Sequence, residues 1–313
     1  MLSISIITKN REEILCDVLS HNLNVANNLG LRVQVHNNAS TDMTSYSLKT
    51  MQNEYFNLDV INHADDLGYD RNYLRAMKAS ETEYTWVIGD ASYIDQRALE
   101  KALDILNKSN GLVLSFNNFS RVQGKVVLPE TSAFKYLSDV GWHLTLIDTT
   151  IWPTKIFNRL GLDKYNGCNL IQLASHLEIL KQGVGRHFWL PCSAMQNTDV
   201  RKHSYWYEHA IDIWCVRFLS MLDSLDNDKV GKVLLHIIRE HNNKSGVFGI
   251  PSLLRIRAAN GIGCKKFFGN LEVLRQTTDK TTLVILFCSC FIPKKTYSFL
   301  RKLKLFFNRE TKL

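Results

Sequence analysis

A chain of 313 residues with 45% hydrophobic and 22% charged side chains carries enough apolar material for one large or two modest globular domains, which excludes a disordered or fibrous protein. The net charge of +8 and a pI near 9.0 favour anionic partners, whether nucleotide phosphates, acidic lipid headgroups or nucleic acid, and charge alone does not choose among them. Seven scattered cysteines without a CxxC pair indicate neither a zinc site nor a disulfide framework, and Lys9, Arg11, Glu12 and Glu13 interrupt the N-terminal apolar run, so the expected setting is cytosolic with reduced thiols and no signal peptide.

Ser3 to Thr8 is a short β-rich run followed by the polar turn Lys9-Asn10-Arg11. Glu12 to Leu29 reads as an amphipathic helix, with Ile14, Leu15, Val18, Leu19, Leu23 and Ala26 at helical spacing and Gly30 as its stop signal. Val33 to Val35 is a second strand. It ends in His36-Asn37-Asn38-Ala39-Ser40-Thr41-Asp42, where Ser40, Thr41 or Asp42 can cap a helix running through Met51. Leu58 to Ile61 is a third strand, Asp70 to Ala79 a helix, Tyr84 to Ile88 a fourth strand and Gln96 to Leu106 its following helix, with Asp95 as N-cap. Alternating strands and helices predict an α/β fold with a mostly parallel sheet and right-handed crossovers. The fourth strand runs into Gly89-Asp90-Ala91-Ser92. In open α/β sheets ligands bind beyond the carboxyl ends of strands, and a carboxylate there can hold a divalent cation.

Four stretches, SIITKNR at Ser5 to Arg11, NNASTD at Asn37 to Asp42, LGYDRNYLRA at Leu67 to Ala76 and WVIGDAS at Trp86 to Ser92, together resemble a family 2 glycosyltransferase of the GT-A fold. The nearest group is the bacterial one that builds O-antigen and capsule repeat units, abequosyltransferase-like enzymes among them. The resemblance covers roughly the first 190 residues, and each motif alone is weak. It implies that Thr8, Asn10 and Arg11 hold the base and ribose, with Asn38, Ser40 and Asp42 in the second loop. Asn37 stands where relatives usually place an Asp that reads the base; an Asn can accept or donate, so uracil and cytosine both remain open. Gly68, Asp70 and Arg71 fall in the segment that approaches the sugar-diphosphate, and the Arg71 fork suits phosphate oxygens.

Family members commonly carry an acidic cluster after the fourth strand. Here only Asp90 is acidic, followed by Ala91 and Ser92. Three readings stay open: Asp90 and Ser92 bind Mn²⁺ or Mg²⁺ weakly, Arg and Lys groups stabilise the leaving diphosphate without a metal, or the site is silent. Gly111 to Phe116 and Lys125 to Leu128 read as flanking strands. In the family the following region lines the acceptor pocket, where Trp142 and His143 are candidate acceptor contacts and Trp142 and Trp152 can stack on a sugar or simply fill the core. Inverting transfer needs a general base for the acceptor hydroxyl. Many relatives place an acid at the start of the helix corresponding to Leu170 to Gln182, but this one begins Ile171-Gln172, leaving His176, Asp148 and His143 as rivals; Glu178 is offset from that face.

From Tyr205 the pattern becomes helical, with amphipathic segments at Ile211 to Leu222 and Val230 to Arg239. The apolar run Leu283 to Ile292 is too short to span a bilayer, and Cys288 and Cys290 within it read as small buried hydrophobes. After Pro293, the alternation of Lys294-Lys295, Arg301-Lys302 and Lys304 with Phe299, Leu300, Leu303, Phe306 and Phe307 fits either a basic amphipathic helix on an anionic membrane or a packed helix with a solvated face. The expected organisation is a nucleotide-sugar and acceptor-binding domain over 1–204 and a helical region with a basic amphipathic tail over 205–313. The resemblance implies an inverting transferase acting on a nucleoside-diphosphate sugar and a glycan or lipid-linked glycan, peripheral to the inner membrane face. The competing reading is a catalytically silent domain that binds a nucleotide or partner; a nucleic-acid partner is not expected, for no recognition motif accompanies the charge.

Overall fold

Every residue of Leu2–Thr8 (β1) is buried, which a strand achieves only at the centre of a sheet covered on both faces. The computed structural model describes residues 1–124, 133–198, 205–296 and 299. The expected strand at Lys125 to Leu128 and the tail from Leu300 onward lie outside the described residues. The chain divides into two units, Met1–Arg201 and Lys202–Leu313.

In the first unit β1 leads through Glu12–Asn28 (α1) to Arg32–Asn37 (β2), Thr44–Glu54 (α2), Leu58–Asn62 (β3), Gly68–Ala79 (α3) and Tyr84–Gly89 (β4). There follow Ser92–Ile94 (β5), Gln96–Leu106 (α4), Leu112–Phe116 (β6), Ala133–Val140 (α5), Thr150–Pro153 (β7), Thr154–Phe157 (α6), Ile171–Gln182 (α7), Arg186–Leu190 (β8) and Met195–Asn197 (β9). The seven-stranded sheet has the order β3-β2-β1-β4-β7-β6-β8, and β5 and β9 form a separate ribbon. Only β7 runs against its neighbours; the pairs β1–β2, β1–β4, β2–β3 and β6–β8 are parallel.

One face of the sheet is apolar. Ile4 and Ile6 of β1, Val33 and Val35 of β2, and Trp86 and Ile88 of β4 pack with α1, α2 and α4. α1 ends in a Schellman turn: Leu31 N–H donates to the Ala26 carbonyl and Gly30 N–H to that of Asn27, with Gly30 at φ +65°. The opposite face carries a hydroxyl network, in which Ser3, Thr82 and Thr85 meet Ser80, and Thr85 meets Thr154, at 2.7–3.0 Å. A side chain buried in α1 fixes the β5–β9 ribbon: Asn22 Nδ2 donates to the Ser92 carbonyl at 3.1 Å and its Oδ1 accepts from Ile94 N–H at 2.8 Å. Asp95 caps α4 by accepting from Ala98 N–H.

The second unit is helical. Asp212–Arg217 is a π-helical stretch, an irregular stand-in for the expected regular helix, and continues into Phe218–Ser220 (α8). Then come Asp228–Lys244 (α9), Ile250–Ala258 (α10), Cys264–Gly269 (α11), Leu271–Thr277 (α12) and Lys280–Ser289 (α13). Ile211, Phe248, Ile256, Phe267, Leu274 and Leu286 build its core. All seven cysteines are free; Cys290 is buried as expected, but Cys288 is exposed.

Burial lowers the pKa of His36 to about 4, of His143 to about 3 and of His187 to about 4, and drives that of His176 well down. The unfolded chain therefore takes up protons between about pH 6.5 and 4 that the folded one refuses, and stability must fall as pH drops through that window. Urea midpoints measured from pH 7.5 to pH 4.5 are expected to decrease steadily; a flat profile would contradict this. Asn22→Ala strands one buried carbonyl and one buried N–H, and is expected to lower unfolding free energy by about 2–4 kcal/mol, measurable by urea titration.

Candidate active site

β1 sits between β2, reached through α1, and β4, so the carboxyl ends of β1 and β4 border the crevice where the strand order reverses. Their register pairs Ile7 with Gly89, which brings the next residues, Thr8 and Asp90, face to face. Thr8 Oγ1 donates to Asp90 Oδ2 at 2.6 Å. The Arg11 guanidinium Nε lies 3.6 Å from Oδ1, outside hydrogen-bonding reach but close enough to set the local charge. Burial raises the Asp90 pKa, and the Arg11 charge and the Thr8 hydrogen bond oppose that shift. The carboxylate thus has one anchored oxygen and one directed at a cation.

Asp90 occupies the joint between β4 and β5, and this joint is held from both sides. Asn22 grips β5, and Thr198 Oγ1 donates to the Ala91 carbonyl at 3.3 Å. Ser92, expected as a metal partner, is buried and pairs as a strand residue with Asn197. Among the described residues no group of three or more His, Cys, Asp or Glu is arranged to hold a metal. The donor set fits Mn²⁺ or Mg²⁺ only as a single-carboxylate site, with Asp90 as the protein ligand and the remaining oxygens coming from a diphosphate and water.

The loops after β1 and β2 are zipped together. Asn10 N–H donates to Ser40 Oγ, Arg11 N–H to Thr44 Oγ1, and Thr41 N–H to Asn10 Oδ1, all within 2.8–3.0 Å. Asn10, Ala39, Phe119 and Ser120, in loops that leave β1, β2 and β6, all adopt φ between 50° and 58°. Left-handed conformations in residues other than glycine persist only where surrounding contacts enforce them, and they concentrate at functional sites. Asn38 Nδ2 donates to Asp66, and its Oδ1 accepts from Leu67 N–H. Lys9 pairs with the same Asp66, so the segment leading to Gly68 is tied to both loops. Asn37 differs from its expected role as a base reader. It is buried, both amide protons are used by Ser45 and Asn62, and its Oδ1 accepts from Ser40.

At the start of α3, Arg71 is exposed, but Asp70 is buried and turned to other work. Its carboxylate accepts from Gly167 N–H at 2.8 Å and Asn169 N–H at 2.9 Å, clamping the loop that precedes α7. Gln172, where relatives were expected to show an acid, donates to the Thr145 carbonyl and accepts from the Tyr69 hydroxyl.

The candidate bases separate clearly. His176 lies wholly inside the protein, 3.1 Å from Thr150 Oγ1 and with its ring centroid 4.5 Å from that of Trp152. It faces mid-sheet residues of β7 and cannot meet an acceptor hydroxyl, which corrects its assignment as a base. His143 is equally buried against the Phe116 carbonyl. Trp142 is buried with the Arg121 guanidinium 5.0 Å above its ring, so neither residue offers the open face expected of an acceptor contact. Asp148 is different. It is buried as well, but it lies in the turn Ile147–Thr149 just before β7, which packs against the strand β4 that leads to Asp90. Its carbonyl accepts from Trp86 Nε1 and from Asn118 Nδ2, and its charge partly offsets the burial that lowers the Arg121 pKa to about 10. Asn22, Asn118 and Arg121 gave no motif signal, because their roles arise from contacts 21 to 76 positions apart.

The family model for glycosyl transferase family 2 matches residues 3–163. Abequosyltransferase RfbV of Salmonella typhimurium is 32% identical over 115 residues, and the match spans 34% of either chain, about a third of that relative's length. Among solved structures, S. aureus TarS 1–349 in complex with UDP-GlcNAc aligns with a TM-score of 0.55 at 16% identity, covering 82% of this chain and 79% of that one. Mannosyltransferase PcManGT from Pyrobaculum calidifontis, in complex with GDP-Man and Mn²⁺, aligns with a TM-score of 0.57 at 13% identity, covering 96% and 84%. At such identities these likenesses speak for the fold, and the family model speaks for the lineage. With a GT-A fold and its polar groups gathered at the β1–β4 crevice, the chain belongs to glycosyl transferase family 2.

Proposed function

We propose that this protein is an inverting transferase that moves a sugar from a nucleoside diphosphate to a lipid-linked glycan in surface polysaccharide synthesis, working peripherally at the inner membrane face. The observation that carries the donor half of this reading is the buried Asp90 carboxylate, held by Thr8 at the β1–β4 crevice with Arg11 beside it. The acceptor half draws on the likeness to an abequosyltransferase over a third of the chain.

In this reading the zipped loops bearing Asn10, Arg11, Asn38 and Ser40 receive the nucleoside, and Gly68 and Arg71 at the start of α3 approach the diphosphate. Arg11 and Arg71 balance the charge that builds on the departing nucleoside diphosphate as its bond to the anomeric carbon breaks. A Mn²⁺ or Mg²⁺ ion bound by Asp90 would add the same electrostatic stabilisation. Asp148 is the base of choice: it takes the proton from the acceptor hydroxyl as that oxygen attacks the opposite face of the sugar. Asn118 and Arg121 keep it oriented.

Asp90→Asn is expected to lower transfer by at least about 10²-fold and to weaken nucleotide-sugar binding, read by thermal shift with UDP-, GDP-, CDP- and dTDP-sugars with and without Mn²⁺. Near-normal turnover would remove Asp90 from the mechanism. Asp148→Asn is expected to reduce kcat by about 10²–10⁴-fold with donor binding intact. If wild-type protein binds a nucleotide-sugar but neither transfers nor hydrolyses it, with or without EDTA, the silent-domain reading that Ala91, Ser92 and Gln172 favour replaces this one.

A further inference from the structure

The basic excess of this chain has an address. Residues 202–313 carry 19 Lys and Arg against 9 Asp and Glu, whereas residues 1–201 carry 19 against 21. From Lys280 to Arg309 there are seven basic residues and no acid. Within that stretch α13 is apolar nearly all round yet buries only Thr282, Leu286 and Ser289. Lys280, Val284, Phe287 and Phe291 follow at intervals of four, three and four, so they form one stripe along the helix and its exit. Val284 is 60% exposed, Phe287 39% and Phe291 64%, and Phe268 of α11, 59% exposed, extends the patch sideways. The rings are continuous: Phe287 lies 5.2 Å from Phe291 and 6.1 Å from Phe268, centroid to centroid.

A cluster of bulky apolar side chains facing water marks a contact surface. Its rim identifies the partner. Lys265 precedes Phe268 by one helical turn, Lys280 heads the α13 stripe, and Lys294 and Lys295 follow Phe291; all four are exposed. Apolar rings that sink into acyl chains and lysines that stay with acidic headgroups are the two requirements for holding a protein on an anionic bilayer. No helix among the described residues is long and apolar enough to cross one, so the contact is interfacial.

We propose that the patch formed by Phe268, Val284, Phe287 and Phe291, ringed by Lys265, Lys280, Lys294 and Lys295, seats the protein on an anionic lipid bilayer. The inference deepens the lipid-linked reading of the acceptor, but vesicle binding without donor or acceptor tests it separately, since transfer and adsorption can fail independently. Full-length protein should co-sediment with phosphatidylcholine vesicles containing phosphatidylglycerol, not with phosphatidylcholine alone, and release as salt is raised. Phe268→Ser combined with Phe291→Ser should lower the partition coefficient about tenfold or more at an unchanged melting temperature. Should that variant melt early, Lys294→Glu with Lys295→Glu replaces it, with the same tenfold loss expected on phosphatidylglycerol vesicles. Wild-type protein that ignores anionic vesicles, or patch variants that bind as well as wild type, would overturn the proposal. So would a wild-type dimer that the same substitutions dissociate, because the patch would then be a face between two copies.

Discussion

The hydrogen bond from Thr8 to Asp90 joins the ends of two adjacent central strands, and most of the functional edge is arranged around it. A carboxylate this deeply buried is costly to keep charged unless something nearby prefers the ion. Thr8 fixes one oxygen, and Arg11 supplies a neighbouring positive charge without closing onto the other. That geometry depends on exact placement of the β4–β5 joint, which in turn depends on Asn22 of α1 and on the β9 strand pairing with β5. The loops following β1 and β2 complete the arrangement by lacing to each other rather than standing free, at the expense of left-handed backbone at Asn10 and Ala39. Preorganisation of this kind is what electrostatic stabilisation of a leaving group requires.

The central elements were legible in the sequence because their signals are local. Helical spacing in α1 and β-rich runs in β1, β2 and β4 reflect burial against one packed layer, and the boundaries found differ from those expected by one or two residues. The antiparallel β7, the edge strand β8 and the small β9 were not legible, because each is defined by a partner distant in sequence. His176 shows the same limit on the chemical side. One helical turn past Gln172 is the right spacing for a shared face, but every residue from Ile171 to Leu180 is buried. A helix enclosed all round has no face toward a substrate, and its periodicity cannot say so. Asp70 is similar: it belongs to the LGYDRNYLRA stretch, but its carboxylate accepts from backbone N–H groups of the loop before α7.

The charge also reads differently once it is divided between the units. A net +8 suggests an electrostatic draw on nucleotide phosphates, but the sheet-bearing unit holds 19 basic against 21 acidic residues. In the proposed reading, phosphate recognition there rests on a few positioned groups, Arg11 and Arg71, rather than on a diffuse positive field. The diffuse field belongs to the helical unit, where it accompanies exposed phenylalanines.

β7 is the one strand of the sheet that enters from the carboxyl edge instead of leaving by it. The stretch between β6 and β7 can therefore begin and end at the same rim, and it delivers Asn118, Arg121, Trp142 and Asp148 there with no crossover to thread. Such a stretch can lengthen, shorten or exchange its side chains while the strands beneath keep their register, since loop length is a weak determinant of stability. That makes it a replaceable cassette. In the proposed reading, where Asp148 takes the acceptor's proton, exchanging this stretch changes the acceptor side while the strands that carry Thr8 and Asp90 stay as they are.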